Sequence, residues 1–442
     1  MTLLGERPPA PPGTPDGGPD AATRRRALAA ASVGNFVEWY DFVLYGASAW
    51  ILAQVFFSPQ DPTAALLATF ATFGVAFLAR PFGAVILGHV ADRAGRRNVL
   101  AASVISMSVG TALIAVLPTY ADAGLAAPLM LLALRALQGF MAGGEYGGSA
   151  TFLVEYAPRG QRGRYGAWQT ATIGLGSAAA TVAVLVATST LAPQALMSWG
   201  WRVPFALALP LGVAGLVLRL RLAETPDFTG TQARRVAPAR LPAVETLRVH
   251  PRLVLTGAAV VSGATLSMYV FQNWVPTYLA SAKQVPLSTA LSGNLVGIVA
   301  FAAGSVACGV LADRYGRRPL LIAGAVALLV LLLPAFALSS QGTFTSIAVG
   351  QSLFGLAVAP IMGVVPALLS EMFPTSIRVT GLSIAYTLAN AVLGGTAPLV
   401  VVWLVSSTGT DLSAVWYCLA AVVLSLAGAL AVRETAWEEL PA

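Results

Sequence analysis

The chain has little charge and almost no lysine. Of its 442 residues only 10% are Asp, Glu, Lys or Arg, and 57% are hydrophobic, whereas soluble domains carry about 25% charged residues. A soluble globular domain is therefore excluded. All but one of the 26 basic residues are arginine, and the single lysine, Lys283, lies in SAKQ. The phosphate-binding loop G-x-x-x-x-G-K-[ST] is thus missing, which excludes ATP-driven transport by this chain.

Cysteine and histidine are also scarce, with two of each. Cys308 and Cys418 lie in apolar segments and form no C-x-x-C pair, so we expect small packing residues and neither a disulfide nor a metal site. His89 and His250 are isolated near predicted loops, so a zinc or histidine-based catalytic site has no set of ligands. We therefore expect neither an enzyme nor a bound cofactor or metal.

Long apolar segments recur along the whole chain, each near the ~20 residues that a helix needs to cross a bilayer. Short polar connections separate them. They predict an all-α polytopic membrane protein with twelve transmembrane helices. The predicted spans are residues 27–57, 64–88, 99–118, 126–156, 165–190, 200–220, 253–280, 288–311, 319–339, 344–372, 379–405 and 412–432.

The arginines are distributed unevenly among the connections. Numbered from a cytoplasmic N-terminus, the even-numbered connections and the two ends hold the arginines, and the odd-numbered connections hold only Lys283. This asymmetry follows the positive-inside rule and predicts an even number of spans with both termini in the cytoplasm. It also explains the net charge of +7 without a nucleic-acid partner. We expect the protein in the cell membrane of a bacterium.

Two charged motifs occur twice in the same order. GHVADRAGRR follows the second span and GVLADRYGRR the eighth, so both read G-x-x-x-D-R-x-G-R-R. EYAPRGQR follows the fourth span and EMFPTSIR the tenth, so both read E-x-x-P-x-x-x-R. Two repeats in register predict two six-helix halves in parallel order. The predicted regions are a disordered cytoplasmic N-terminal tail (1–26), the N-terminal half (27–221), a cytoplasmic linker (222–250), the C-terminal half (251–433) and a cytoplasmic C-terminal tail (434–442).

The repeated motifs suggest a gate on the cytoplasmic face. In the first motif the glycine permits a tight turn, the arginines lie at the headgroup level, and the aspartate lies at a helix end. Pairs formed in only one conformational state would open and close that face. The alternative is a set of topology anchors and static ion pairs. The predicted gate residues are Asp92, Arg93, Arg96, Arg97, Glu155, Arg162, Asp313, Arg314, Arg317, Arg318, Glu371 and Arg378.

These motifs resemble those of the major facilitator superfamily over essentially the whole chain. The resemblance rests on the doubled G-x-x-x-D-R-x-G-R-R, the R-x-x-Q-G of Arg135 to Gly139, and the two halves. Several motifs resemble one branch of the superfamily more narrowly, the metabolite:proton symporters. This branch includes permeases for proline and betaine, α-ketoglutarate, citrate and shikimate. The resemblance implies alternating access around a central cavity, with uptake driven by the proton gradient. The motifs similar to that branch are GNFVEWYDFVLYG, RPFG, QGFMAGGEYGG, WGWRVPFALALPLG and GGTAPLV.

The interior acids and bases lie in the spans of the N-terminal half. A carboxylate at the bilayer centre costs about 2.5–3.5 kcal/mol even on the insertion scales that give the lowest cost. Acids at this depth therefore indicate a functional role. Glu38, Asp41 and Tyr45 are three and four residues apart and share one helix face, where Tyr45 is a possible hydrogen-bond partner of Asp41. Two acids one turn apart in mid-membrane can rarely both stay charged, so one should hold a proton readily. The predicted proton-coupling residues are Asp41, the first choice, with Glu38 and Glu145.

Buried arginines suit a carboxylate-bearing solute, because a guanidinium donates two parallel hydrogen bonds. In the fourth span Gln138 and Glu145 are seven residues apart and share a face. We expect the neutral polar groups of the C-terminal half to select the solute by shape and hydrogen bonding. For each residue the alternative is a permanently buried contact that only holds helices together. The predicted substrate-binding residues are Arg80, Arg135, Tyr45, Gln138, Asn273, Trp274, Tyr386 and Asn390.

We therefore expect a secondary active transporter that takes up a small organic acid or zwitterion together with protons and works as a monomer in the lipid bilayer. The alternative is a proton-coupled efflux carrier of the same superfamily that exports drugs or metabolites. Interior arginines favour an acidic or zwitterionic solute over a cationic drug. A channel is disfavoured, because the sequence offers charged hinge repeats instead of pore rings or re-entrant filters.

Overall fold

In the computed structural model, every regular secondary-structure element of the described residues is a helix. It describes the backbone of residues 21–58, 60–94, 96–220 and 242–441, and the side chains of most of them. The prediction of an all-α membrane protein is confirmed. The α-helices are α1 (Ala21–Ala47), α2 (Ala49–Phe56), α3 (Pro62–Ala94), α4 (Arg96–Ile114), α5 (Tyr120–Ala123), α6 (Ala126–Met141), α7 (Glu145–Glu155), α8 (Arg162–Thr190), α9 (Pro193–Ala195), α10 (Arg202–Ala206), α11 (Ala208–Leu220), α12 (Pro242–Val249), α13 (Pro251–Tyr269), α14 (Val275–Ser281), α15 (Leu287–Tyr315), α16 (Arg317–Ser339), α17 (Phe344–Met372), α18 (Arg378–Ala389), α19 (Ala397–Thr408) and α20 (Leu412–Ala431).

Ten helical stretches of the described residues are long and apolar enough to cross a membrane. A shorter apolar helix, Ala101–Ile114, lies in α4, and α1 with α2 covers the first predicted span. Together these stretches are consistent with twelve spans, which we number in chain order. Spans 1 to 12 are α1–α2, α3, α4, α6–α7, α8, α9–α11, α13–α14, α15, α16, α17, α18–α19 and α20.

The helices extend beyond several predicted spans. The described part of α1 covers Ala21–Ala47, so it includes residues 21–26 of the predicted N-terminal tail. Span 6 begins at Pro193 instead of residue 200, because a proline at the first helical position lacks only an N–H that would be unpaired there anyway. The described part of the predicted linker contains α12.

Four spans are interrupted by a short turn of another helix type. Such irregular turns, π turns above all, are frequent at functional sites. Three predicted substrate-binding residues, Asn273, Trp274 and Asn390, lie in π turns. The interruptions are a 3-10 turn at Ala142–Gly144 in span 4 and π turns at Leu196–Gly200 in span 6, Val270–Trp274 in span 7 and Asn390–Gly394 in span 11.

Spans 2 and 4 approach each other through glycines. A Cβ at Gly139 would collide with the carbonyl oxygen of Ala76, and a Cβ at Gly143 with the carbonyl oxygen of Arg80. Glycines spaced four residues apart allow this kind of close helix packing in membranes. The two backbones are therefore in direct contact, and the arginines of spans 2 and 4 are carried on neighbouring helices.

Span 5 of the N-terminal half packs against spans 8 and 10 of the C-terminal half. Gly163 is so close to the span 8 backbone that a Cβ would meet a main-chain carbonyl oxygen. Nearer the middle of the molecule, the hydroxyl of Thr170 donates to the carbonyl of Met362 at 2.7 Å. These contacts close the molecule at the end that carries the repeated motifs. We call this end the motif face, and it comprises Glu155–Arg162, Asp313–Arg318 and Glu371–Arg378.

Candidate functional site

A buried ion pair joins spans 1 and 2. Nη2 of Arg80 donates to Oε1 of Glu38 at 2.8 Å, and the two side chains are 4% and 1% exposed. The guanidinium also lies 4.2 and 4.7 Å from the ring centroids of Phe42 and Phe77. One carboxylate and two aromatic faces thus replace part of the hydration that the arginine loses on burial.

Asp41 lies one turn further along span 1 and is buried in a different way. It is 1% exposed, and neither carboxylate oxygen has a hydrogen-bond partner of normal geometry among the described residues. The polar groups near enough to act on it are Thr111, Arg135 and Glu38. An unpaired buried carboxylate is stable only when it binds a proton or when a cation reaches it. The structure therefore gives the two acids different surroundings.

Arg135 in span 4 contacts an amide and aromatic rings. Its Nη1 donates to Oε1 of Gln138 at 3.1 Å, and Nε2 of Gln138 donates to Thr111 at 2.5 Å. The guanidinium lies 4.5 Å from the ring centroid of Tyr45, whose hydroxyl donates to a main-chain carbonyl of span 2 at 3.1 Å. In this conformation the Tyr45 hydroxyl therefore bonds to span 2 and not to Asp41, for which it was a possible partner.

Glu145 is 2% exposed at the start of α7. The predicted common face with Gln138 requires that span 4 be one regular helix. The 3-10 turn at Ala142–Gly144 lies between them, and its tighter winding changes the direction of the residues that follow. Gln138 and Glu145 are therefore not seven residues apart along one regular helix, and their common face stays a prediction.

Neutral groups of the C-terminal half surround Tyr269 in span 7. Its hydroxyl donates to Oδ1 of Asn390 at 3.3 Å, and Nδ2 of Asn273 donates to its carbonyl at 3.3 Å. Trp274 instead stacks on Tyr278, with ring centroids 4.8 Å apart. The structure thus brings two of the predicted asparagines to one tyrosine and puts Trp274 in a separate aromatic stack.

Tyrosines that sequence reasoning missed connect the two halves. The ring of Tyr146 in span 4 stacks on that of Tyr386 in span 11, with centroids 3.3 Å apart and planes at 4°. Tyr269 lies against Phe77 at 5.1 Å and Trp39 at 6.1 Å. The only sequence signal for Tyr146 is its place between glycines in GGEYGG. Contacts of this kind depend on how the halves meet, which no pattern within one span records.

The central residues are closed off from water in this conformation. Each residue that we predict to couple protons or bind substrate is at most 3% exposed when all its atoms are counted. The charged ones come from spans 1, 2 and 4, and the two asparagines come from spans 7 and 11. A solute can therefore reach this centre only after the helices move.

Asp313 of the second hinge motif caps span 5 of the N-terminal half. Its Oδ1 accepts a hydrogen bond from the N–H of Gly163 at 2.7 Å, and its Oδ2 accepts one from the N–H of Arg164 at 2.8 Å. These N–H groups lie at the start of α8, where they have no partner within the helix and where the helix dipole favours a negative charge. Oδ1 also accepts from Arg317 at 2.9 Å. The cap joins the two halves directly.

The second repeated motif supplies crossed contacts between the halves. Arg317 donates to both oxygens of Glu371, at 3.0 and 3.2 Å, and Arg162 lies 3.6 Å from Glu371. Arg378 binds Glu155 at 2.6 Å. An arginine of each half thus meets a glutamate of the other, and the motif face is closed.

The remaining predicted gate residues fall into two groups. Arg314 lies over the neighbouring Tyr315, and Arg318 donates to the carbonyl of Leu430 at 3.0 Å, so these contacts stay within the C-terminal half. The side chains of the first hinge motif lie outside the residues that the structure describes, and their assignment stays a prediction. They are Asp92, Arg93, Arg96 and Arg97.

Models of known families match both halves of the chain. The model described as Sugar (and other) transporter matches residues 27–242, and the model described as Major Facilitator Superfamily matches residues 291–439. The proline/betaine transporter of Salmonella typhimurium is 35% identical over 434 residues, which cover 94% of this chain and 85% of that protein. The chain belongs to the major facilitator superfamily. Like other proteins of this superfamily it is a membrane transporter and not an enzyme.

Two further proteins of the superfamily are similar to this chain in sequence or in structure. The citrate-proton symporter of Klebsiella pneumoniae is 34% identical over 412 residues, covering 93% of this chain and 92% of that protein. The resemblance to the metabolite:proton symporter branch is thereby confirmed. The xylose transporter XylE from E. coli, solved in a partially occluded inward open conformation, matches with a TM-score of 0.72 at 22% identity, covering 95% of this chain and 100% of that one. At this identity the likeness shows the major facilitator fold alone.

Proposed function

We propose that the chain is a symporter that takes up a small carboxylate-bearing or zwitterionic metabolite together with protons. The observation that carries the proposal is the contrast between the acids of span 1. Glu38 is ion-paired with Arg80, whereas Asp41 is buried without a hydrogen-bond partner of normal geometry among the described residues. A paired acid keeps its charge, and an unpaired buried acid is suited to take up a proton. Relatives named for proline/betaine and citrate-proton transport support the same class.

Arg135 is the proposed partner of the solute carboxylate. Arg80 already binds Glu38, but Nε and Nη2 of Arg135 have no hydrogen-bond partner among the described residues. Across the centre, Oδ1 of Asn273 is likewise a buried acceptor without a partner in the described part of the chain. Unpaired buried donors and acceptors are unfavourable until something binds them. A zwitterion would satisfy both, with its carboxylate at the arginine and its ammonium group at the asparagine.

Asp41 is the proposed proton-coupling residue, because its protonation depends on Arg135. The guanidinium favours the ionised form of a nearby carboxyl group. A solute carboxylate that pairs with Arg135 neutralises this influence, so Asp41 then holds its proton more readily. By linkage the proton strengthens solute binding to the same extent. The two ligands would therefore bind and leave together, as symport requires.

The moving units are proposed to be the predicted halves, residues 27–221 and 251–433, working as a monomer in a bacterial cell membrane. The motif face would be the cytoplasmic face, in agreement with the arginine distribution, and both termini would lie there. In the present conformation the motif face is closed by pairs such as Arg378 with Glu155. Uptake would require these pairs to separate and reform in each cycle.

Uptake into proteoliposomes tests the proposal. We expect at least one labelled solute from a panel of proline, betaine, α-ketoglutarate, citrate, shikimate and aromatic acids to accumulate under an inward proton gradient, and a protonophore to abolish this. Arg135→Gln should prevent solute binding, whereas Arg252→Gln, a change at an exposed arginine, should not.

Two results would contradict the proposal. Accumulation that is indifferent to the protonophore would exclude proton symport. Export of hydrophobic cations from cells that express the protein, without uptake of any panel solute, would identify the efflux carrier of the same superfamily instead.

A further inference from the structure

The chain after span 12 does not leave the molecule but lies along the motif face. The carboxylate of Glu434 accepts hydrogen bonds from the N–H groups of Arg317 at 2.8 Å and Arg318 at 3.0 Å. These are the first residues of α16, whose N–H groups need a capping acceptor. The hydroxyl of Thr435 donates to Glu371 at 2.7 Å. These bonds fix the beginning of the segment to the C-terminal half.

The same segment then reaches the N-terminal half. Nη1 of Arg162 donates to the main-chain carbonyl of Glu438 at 2.8 Å. Arg159 lies 3.4 Å from the carboxylate of Glu439, but both side chains are more than 80% exposed, so this second pair contributes little. The bond to the carbonyl of Glu438 is therefore the main link between the segment and the N-terminal half.

The end of the segment binds the other arginine that joins the halves. Nη2 of Arg378 donates to the carbonyl of Pro441 at 2.8 Å, and the N–H and hydroxyl of Thr375 donate to the same oxygen at 3.2 and 2.9 Å. Arg378 and Arg162 each contact a glutamate of the opposite half. Each of these bridging arginines thus has one hydrogen bond to a carbonyl of the C-terminal segment.

We propose that Glu434–Pro441 is a C-terminal clasp that holds the motif face closed and must release Arg162 before the halves separate there. The clasp uses main-chain carbonyl oxygens of Glu438 and Pro441, so its position along the motif face matters and the side chains at these two sites do not. The proposal rests on alternating access but not on the identity of the solute. Labelling of a cysteine behind the closed face requires neither solute nor proton gradient, so it separates the two questions.

The reporter is Ala367→Cys in a chain that also carries Cys308→Ala and Cys418→Ala. Ala367 is 0% exposed and packs against Gly166 of span 5 at the interface of the halves. Deletion of residues 437–442 removes the carbonyls but keeps Glu434 and its cap. We expect a thiol reagent to label the reporter about tenfold faster after the deletion, because a hydrogen bond to a charged group contributes about that factor to an equilibrium.

Two full-length variants complete the test. Glu438→Ala leaves the main-chain carbonyl in place and should label at the parental rate. Insertion of one glycine between Ala436 and Trp437 keeps every side chain but displaces the carbonyls, and it should label as fast as the deletion. Parental labelling rates in both the deletion and the insertion would overturn the clasp, as would fast labelling in Glu438→Ala. Thermal unfolding of each purified variant checks that faster labelling does not come from a loss of folding.

Discussion

The ion pair of Glu38 and Arg80 provides the most direct test of the energetics of the central site. Glu38→Gln leaves a guanidinium buried at 4% exposure without its counter-charge, and loss of one partner of a buried pair costs about 3–5 kcal/mol. The new amide can still accept a hydrogen bond from Arg80, and this bond offsets about 1 kcal/mol of that cost. We therefore expect the free energy of unfolding at pH 7 to fall by about 2–4 kcal/mol.

The assay is unfolding by SDS in mixed micelles, followed by tryptophan fluorescence. In the double variant Glu38→Gln, Arg80→Gln the buried charge is gone, so we expect a loss at least ~2 kcal/mol smaller than the sum of the single losses. Glu439→Gln is the matched control, because the side chains of Glu439 and its partner Arg159 are both more than 80% exposed and such pairs contribute about 0–1 kcal/mol. Additive losses, or a loss in Glu38→Gln no larger than that of the control, would refute the reasoning.

Three further predictions follow from charged groups elsewhere in the chain. Asp41→Asn mimics the protonated acid, so it should retain solute-for-solute exchange but lose accumulation driven by a pH gradient; accumulation at the parental level would transfer the coupling role to another acid. Asp313→Ala removes the cap of span 5, and we expect about three- to tenfold faster labelling of a cysteine behind the motif face, since loss of a helix cap costs about 0.5–2 kcal/mol; a parental labelling rate would contradict it. Hydrogen bonds to Tyr278 and Asp411 raise the pKa of Lys283, so this group contributes stability below the unfolded-chain value of about 10.4 and loses it as the pH rises through the raised pKa. Asp411→Asn should therefore lower the thermal stability slightly at pH 8, by about 0.5 kcal/mol or less for such an exposed pair, and the difference from the parent should shrink above about pH 11; a difference that grows with pH would contradict it.

The spans, the repeats and the interior charges could be predicted because each leaves a signal in one stretch of sequence. A helix that crosses a bilayer needs a long apolar run, and an acid such as Asp41 within that run is conspicuous because its burial is costly. The helix ends were less predictable. Span 6 begins at Pro193, because helices continue past the apolar core until a turn or a proline sets their limit.

The pairing of residues could not be predicted, because it depends on helix rotation and on how the halves meet. Sequence spacing placed Glu38, Asp41 and Tyr45 on one face but could not show that only Glu38 meets Arg80 or that Tyr45 points to span 2. The stacking of Tyr146 on a ring of the other half is invisible for the same reason. The C-terminal residues, which the sequence indicates only as a tail, bind the motif face through carbonyl groups that every residue possesses.

The glycine contacts between spans 2 and 4 have a consequence for ion leakage. Backbones that touch at Gly139 and Gly143 leave no side-chain layer along which one helix could slide past the other. Arg80 and Arg135 should therefore keep nearly the same separation whichever face is open. Arg80 is paired with Glu38, and the positive charge of Arg135 in a dry centre repels sodium and potassium ions while no solute carboxylate is bound to it. A proton, by contrast, is carried as part of a neutral carboxyl group. We therefore expect a membrane that contains the protein to stay impermeable to inorganic cations while the protein alternates between its two open conformations.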